Sequence, residues 1–309
     1  MLFVIVLAAG FLTIKNRTQE NRGQKIAEAV ESGMKGNIKP EITIEKEETL
    51  PDPESIPLYA DAACIYRVDG EGRGTLLYDK NAEEKRAQAS TTKLLTAMLL
   101  IDSGKLEDDT VISENAASTS EIYYELEAGD VYSNHDLMYA MMLPSANDAA
   151  VAIAEGVSGD TQTFVSQMND RAAELGLNDT HYVNPHGLDA DDHYSTALDV
   201  AKLTAYAYEY PDIRESWTYK TKTITGEKTG NAWTLESTDL ILGYDDHFKG
   251  GKTGTQPVAG FCFAGVYEYN GKTFVTVVLD CDEEEERWAD TKALHQYIRE
   301  YEDDIKAES

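Results

Sequence analysis

Ser90-Thr91-Thr92-Lys93 sets a hydroxyl and an amine three residues apart. On a helix, positions i and i+3 share a face, so the amine can lie beside the hydroxyl. A serine is a weak nucleophile until a neighbouring base takes its proton. A lysine desolvated at the mouth of an apolar helix holds its own proton less tightly and can act as that base. Ser145-Ala146-Asn147 follows Pro144, where a helical pattern breaks, and a loop there can turn a hydroxyl and an amide into a cleft. Lys252-Thr253-Gly254, with Thr255 next, follows Gly250-Gly251 and leads into an apolar run. Its lysine charge and threonine hydroxyl make a seat for a carboxylate, and its glycine lets substrate backbone approach the strand closely.

Each element also has a bland reading and a second copy. Ser90 and Ser145 are good helix N-caps, and Lys93 alone reads as a surface lysine. Ser32 and Lys35 repeat the first spacing in a charged stretch that cannot desolvate a lysine. Ser113-Glu114-Asn115 repeats the second in polar surroundings, and Lys228-Thr229-Gly230 repeats the third in the Thr-rich “TYKTKTITGEKTGNAW”, which reads as an exposed, solvated hairpin. Only Ser90, Ser145 and Lys252 occur in order, each in a suitable context.

The elements that must position them follow from the pattern. “ADAACIYRVDGEGRGTLLYDKNAEE” predicts two strands around the turn Asp69-Gly70-Glu71-Gly72. “STTKLLTAMLLIDSG” is apolar on all sides, which predicts a buried central helix opening at Ser90 and ended by Gly104. “SNHDLMYAMMLPSANDAAVAIAEGVSG” predicts two helices interrupted at Pro144. “DTQTFVSQMNDRAAELGLND” predicts an amphipathic helix stopped by Gly176, and “TALDVAKLTAYAYEY” predicts another. The run from Lys249 to Asp280 predicts strands joined by the hairpin Tyr269-Asn270-Gly271-Lys272. Leu294, Tyr297, Ile298, Tyr301 and Ile305 then recur at helical spacing. Strands at both ends with helices between predict an α+β fold, an antiparallel sheet flanked by helices with a helical subdomain.

Fifty-six acidic residues against 27 basic ones leave a net charge of −29. Such a field repels nucleic acid, so no nucleic-acid partner is expected, and runs such as “DCDEEEERWAD” read as solvated surface. An anionic substrate would need a local positive site, for which Lys252 is the candidate. Cys64, Cys262 and Cys281 give neither a disulfide framework nor a metal spacing. The first and second sit in apolar strand-like runs, as buried thiols do. His181, His186, Asp189, Asp191, Asp192 and His193 crowd “HYVNPHGLDADDH”, but no ligand pair stands at a helical i, i+4 spacing and the turn residues favour a structured loop. No metal and no cofactor is expected. Residues 1–14 are expected to be a signal peptide or N-terminal membrane anchor, since Leu2 to Ile14 is an apolar run of h-region length. Residues 15–56 read as a flexible charged tether and 57–309 as the globular domain.

Beyond the three motifs, “QASTTKLLTAMLL”, “MLPSANDAAVAIAE”, “ELGLNDTHYVNPHGLDADDHYSTALDVAKLT” and “GGKTGTQPVAGFC” carry a likeness that runs from about Leu58 to Tyr301. The chain resembles the low-molecular-mass penicillin-binding proteins that are serine D-alanyl-D-alanine carboxypeptidases, of the β-lactamase/transpeptidase-like superfamily. The resemblance implies Ser90 as the acylated nucleophile, Lys93 as its base and Ser145 as the relay to the departing D-alanine. It implies Asn147 as a holder of the peptide backbone, and Lys252, Thr253, Gly254 and Thr255 as the substrate-binding strand. The Ser90 and Thr255 N–H groups would form the oxyanion hole. The partners implied are peptidoglycan stem peptides ending in D-Ala-D-Ala and β-lactam antibiotics as covalent inhibitors. The location implied is extracytoplasmic, with the membrane met only through the N-terminus. The tail after the sheet is short, so the additional C-terminal β-domain and membrane-binding helix of many relatives are expected to be absent. Thr255-Gln256 after the third motif, “RAQAS” in place of Pro-Ala-Ser, and “ESTDL” in place of a Thr-Asn segment depart from the common pattern and bear on substrate preference.

Three rival readings share these residues. A class A-like β-lactamase adds a Glu-x-x-Leu-Asn motif, which Glu174 to Asn178 matches, but at a helix end and too soon after Ser145. A D,D-endopeptidase would use the same site on cross-linked peptide. A cell-wall binder or penicillin sensor would need no paired nucleophile and base.

Overall fold

In chain order, the described residues form β1 (Ala62–Gly70), β2 (Arg73–Lys80), α1 (Lys93–Asp102), β3 (Asp109–Val111), α2 (Glu114–Ala117), β4 (Val131–Ser133) and α3 (Asn134–Met142). There follow α4 (Asn147–Ser158), α5 (Thr161–Glu174), α6 (Ala197–Tyr208), α7 (Pro211–Ser216), β5 (Thr221–Thr225), β6 (Ala232–Glu236), β7 (Phe248–Gln256), β8 (Gly260–Tyr269), β9 (Lys272–Cys281) and α8 (Glu284–Glu308). The structure is a computed structural model that describes residues 56–70, 72–119 and 125–308, with side chains up to 303. All of them belong to one unit, Ile44–Ser309. The expected signal or anchor, nearly all of the expected tether, and the Ser32–Lys35 pair lie outside the described residues.

Alternation along the strands builds two cores. In β1, Ala62, Cys64 and Tyr66 enter one core while Ala63 and Ile65 enter the other. In β8, Cys262, Ala264 and Val266 oppose Phe263 and Tyr267 in the same way. A period of two thus makes a sheet buried on both faces. Its five strands are antiparallel, in the order β2-β1-β9-β8-β7. Helix α6 packs on one face with the helical subdomain beyond it, and α8 covers the other. The α+β expectation is met, and so are both sheet turns. All three cysteines are buried free thiols.

β7 is an edge strand, so the sheet leaves one side of the Lys252 strand open. Against it stand the residues that lead into α1 and the turn between α3 and α4. Helix α1 is short, apolar and buried, and Gly104 at φ +72° ends it as expected. Ser90, however, precedes this helix in a 3-10 turn, Ala89–Thr92, closed by the Gln88 carbonyl. In a 3-10 turn i and i+3 eclipse, which brings Ser90 and Lys93 together at least as well as an α-helix would.

Three expectations change. Helix α8 begins at Glu284, upstream of the predicted stripe, so the acidic run leads into its first turns: Glu283 and Glu285 are exposed as expected, but Arg287, Trp288 and Asp290 are buried. Acidic residues suit that position because the helix N-terminus carries partial positive charge. The β5–β6 hairpin carrying Lys228 is real, yet its tip is not simply solvated. The buried Asp130 carboxylate accepts hydrogen bonds from Lys228 N at 3.0 Å, Thr229 N at 3.3 Å and Thr229 Oγ1 at 2.5 Å. Neither Ser90 nor Ser145 caps a helix, whereas Ser113 does, accepting from Ala116 N.

Candidate active site

Lys93 is fully buried, and its Nζ lies 2.7 Å from Ser90 Oγ, 2.8 Å from Asn147 Oδ1 and 2.6 Å from the His186 carbonyl oxygen. An ammonium would donate to all three. A neutral amine has two N–H groups for the two pure acceptors, which leaves its lone pair facing the Ser90 hydroxyl. Burial, and then the positive charge of Lys252, push the Lys93 pKa well below its usual value, with Asp148 opposing. Desolvation disfavours the charged form, so this lysine is poised as a base.

The carbonyl of His186 comes from the loop that the sequence offered as a metal rival. Thr96 Oγ1 donates to the Pro185 carbonyl at 2.6 Å, and His193 Nε2 meets Thr92 Oγ1 at 2.8 Å while its Nδ1 accepts from Val183 N. The loop therefore hangs on α1. Burial lowers the pKa of His186 to about 3 and that of His193 to about 4, so both imidazoles are neutral. Among the described residues no group of three His, Cys, Asp or Glu side chains is arranged to hold a metal ion.

Ser145 takes φ +68° immediately after Pro144. A non-glycine residue there stores on the order of 1–3 kcal/mol and persists only when its surroundings dictate it. The Ala146 N–H bonded to the Ala140 carbonyl at 3.0 Å, and the start of α4 at Asn147, supply that constraint. The result aims Ser145 Oγ at Lys252, whose Nζ donates to it at 2.9 Å and to its neighbour's carbonyl, Thr253 O, at 3.0 Å. Lys252 is fully buried, and burial followed by the charge of Arg287 lowers its pKa to about 7, against the pull of Asp239.

A cavity of about 840 Å³ opens between these elements, lined by Ser90, Ser145, Asn147, Thr253 and Thr255 among the expected residues. Lys93 and Lys252 stand behind that wall. Gly254 does not line it. A Cβ on Gly254 would come within 2.9 Å of Ala89 Cβ and 3.1 Å of Ser90 N, so its missing side chain admits the chain's own Ser90 turn. Gly187 serves the same turn from the other side, where a Cβ would meet the Ala89 carbonyl oxygen at 2.0 Å.

Thr238 and Arg287 also line the cavity and were not among the residues expected there. Thr238, in “ESTDL”, contacts Thr253 Oγ1 through its hydroxyl. Arg287 is 1% exposed, and its Nη1 donates to the Gly254 carbonyl and Thr255 Oγ1, both at 3.2 Å, while Nη2 pairs with Glu284. It adds a second cation to the strand carrying Lys252. The signal was present: Arg287, Thr291, Leu294 and Ile298 are buried at helical spacing, so extending the α8 stripe upstream reaches Arg287. Glu174, the lactamase-like glutamate, ends α5 in an ion pair with Arg171 at 2.9 Å and is not on the cavity wall.

With this geometry in hand, the sequence model of the D-alanyl-D-alanine carboxypeptidase family matches residues 54–283. The chain belongs to this family. A D-alanyl-D-alanine carboxypeptidase of Bacillus subtilis is 33% identical over 235 residues, which cover 74% of this chain and 60% of that protein. A D-alanyl-D-alanine endopeptidase of Pseudomonas aeruginosa is 30% identical over 253 residues, 80% of this chain and 81% of that protein. The crystal structure of the Streptomyces K15 DD-transpeptidase superposes with a TM-score of 0.72 at 27% identity, covering 81% of this chain and 98% of that one. Family and fold thus agree with the resemblance read from the motifs.

Proposed function

We propose that the chain is a serine D-Ala-D-Ala carboxypeptidase that removes the terminal D-alanine of peptidoglycan stem peptides through an acyl-enzyme on Ser90. The observation that carries this is the buried Lys93 amine, 2.7 Å from the Ser90 hydroxyl with two carbonyl-type acceptors for its own protons. Ser90 Oγ attacks the carbonyl carbon of the penultimate D-alanine as Lys93 Nζ takes the hydroxyl proton. The terminal carboxylate sits at Lys252, Thr253 and Thr255, and Asn147 holds the peptide backbone. The Ser90 and Thr255 N–H groups receive the oxyanion, a contribution of about 2.7–4 kcal/mol per donor. Ser145, bonded to Lys252, relays to the departing nitrogen the proton that Lys93 took from Ser90. Water then frees Ser90. β-Lactams acylate the same serine.

In this proposal residues 57–309 are the catalytic domain, 15–56 its tether and 1–14 its export signal or anchor, so the reaction takes place outside the cytoplasm. Among the described residues no helix is long and apolar enough to cross a membrane. The deciding experiment mixes purified protein with a peptide ending in D-Ala-D-Ala and measures free D-alanine. Release of D-alanine is expected, and cleavage of cross-linked dimers alone would make endopeptidase the better name. Ser90→Ala should abolish covalent labelling by a fluorescent penicillin, and persistent labelling would sink the assignment.

A further inference from the structure

Thr238 belongs to none of the three motifs, yet its hydroxyl lies 2.5 Å from that of Thr253. It also lies 3.2 Å from the Leu143 carbonyl oxygen, which the Thr238 backbone N–H already reaches at 3.1 Å. Two hydroxyls carry two protons, and the carbonyl can only accept. Two arrangements satisfy these atoms. In the first, Thr253 O–H donates to Thr238 Oγ1 and Thr238 O–H donates to Leu143 O. In the second, Thr238 O–H donates to Thr253 Oγ1, and the Thr253 proton turns into the cavity that both threonines line. The Leu143 carbonyl keeps its backbone donor in either case, so the exchange orphans nothing. An entering anion favours the second arrangement, because a hydroxyl-to-carboxylate bond is roughly twice as strong as a neutral one.

We propose that Thr238 is a positioning residue for the substrate carboxylate: its hydroxyl turns from the Leu143 carbonyl onto Thr253 Oγ1 and so presents the Thr253 proton to the bound anion. This rests on the reading that Thr253 meets that carboxylate. Because Thr238 also grips Leu143, just before Pro144-Ser145, a plain structural role must be told apart from it. The route through Thr253 makes the distinction.

The test is a double-mutant cycle of Thr238→Val and Thr253→Val, with Thr238→Ser as the conservative variant and Thr238→Ala as a second deletion of the hydroxyl. It reads kcat/KM for D-alanine release and the second-order rate of acylation by a fluorescent penicillin, a carboxylate in each case. Thr238→Val should lower both about tenfold, the size of one charge-assisted hydrogen bond. In the Thr253→Val background the same change should cost less than about twofold, since coupled residues are not additive. Thr238→Ser should restore wild-type rates, and thermal melting checks folding. Equal losses in both backgrounds, wild-type rates in Thr238→Val and Thr238→Ala, or failure of Thr238→Ser to restore them would each overturn the proposal. A wild-type protein that is acylated but frees no D-alanine would refute the substrate reading instead, and the acylation cycle would still decide on Thr238.

Discussion

Lys228-Thr229-Gly230 and Lys252-Thr253-Gly254 have the same three side chains in two settings. The first tops an exposed two-stranded hairpin, where Lys228 Nζ donates to the Gly129 carbonyl at 3.0 Å. The second runs along the edge of the five-stranded sheet, where Lys252 is fully buried beside Ser145 and shares its strand with the Arg287 guanidinium. Burial gives Lys252 a depressed pKa and a cavity to act on, whereas Lys228 stands exposed at the hairpin tip. The hairpin copy does a different job through its backbone, binding the Asp130 carboxylate. The tripeptide therefore has no intrinsic chemistry, and its surroundings assign it one.

Exchanging the settings by mutation breaks or sharpens this contrast. The largest effect is expected for Lys252→Ala, which should lower kcat/KM for D-alanine release about 10²–10³-fold, in line with roughly 3–4 kcal/mol for losing one partner of a buried charge pair. A loss under tenfold would remove Lys252 from the carboxylate site.

The pH profile comes next. The base must be neutral, so activity rises as Lys93 loses its proton, at a pKa lowered well below that of a free lysine. In the proposed mechanism the carboxylate seat at Lys252 must be charged, so activity should fall as Lys252 loses its proton above about 7. Lys252→Ala should erase that alkaline limb of log(kcat/KM), and Lys228→Ala should leave it in place. A limb that survives in Lys252→Ala would assign it to another group.

Asp130→Asn should act on stability alone. Burial works against this carboxylate's charge, but hydrogen bonds from Thr229, Val131 and Lys228 outweigh it and hold the pKa below the usual carboxylate range. A depressed carboxyl pKa stabilises the fold above the unfolded value and loses that contribution as pH falls through the folded one. Removing the charge should cost about 2 kcal/mol at neutral pH, or roughly 4–8 °C in Tm, with the gap to wild type closing in acid. Turnover at 25 °C should be unchanged, and a matching loss of activity would mean that the hairpin reaches the site.

The smallest effect is reserved for Lys228→Ala. Surface changes of this kind stay within about 0.5 kcal/mol, so both activity and Tm should be wild-type within about twofold and 2 °C.

Much of the site is legible in the sequence. Ser90, Ser145, Asn147, Thr253 and Thr255 line one cavity, with Lys93 and Lys252 bonded to its two serines from behind, because each motif sits on an element whose apolar pattern is strong. Gly254 was read for the wrong neighbour, since a glycine announces that something approaches but not what does. Arg287 was hidden because local composition made its run look like solvated surface. Burial of a cation among carboxylates depends on which helix face meets the sheet. Thr238 was hidden because its partners, Leu143 and Thr253, are far away in sequence.

The sequence by itself determined the order of the three motifs, the strand and helix periods around them and, through these, the family. Those are local properties, written in the spacing of apolar side chains and in which residue types are adjacent. Only the tertiary structure decided which lysines lose their water. Desolvation depends on everything packed around an amine, and for Lys93 and Lys252 that includes the Pro185–His186 loop, the strained Ser145 turn and the guanidinium of Arg287.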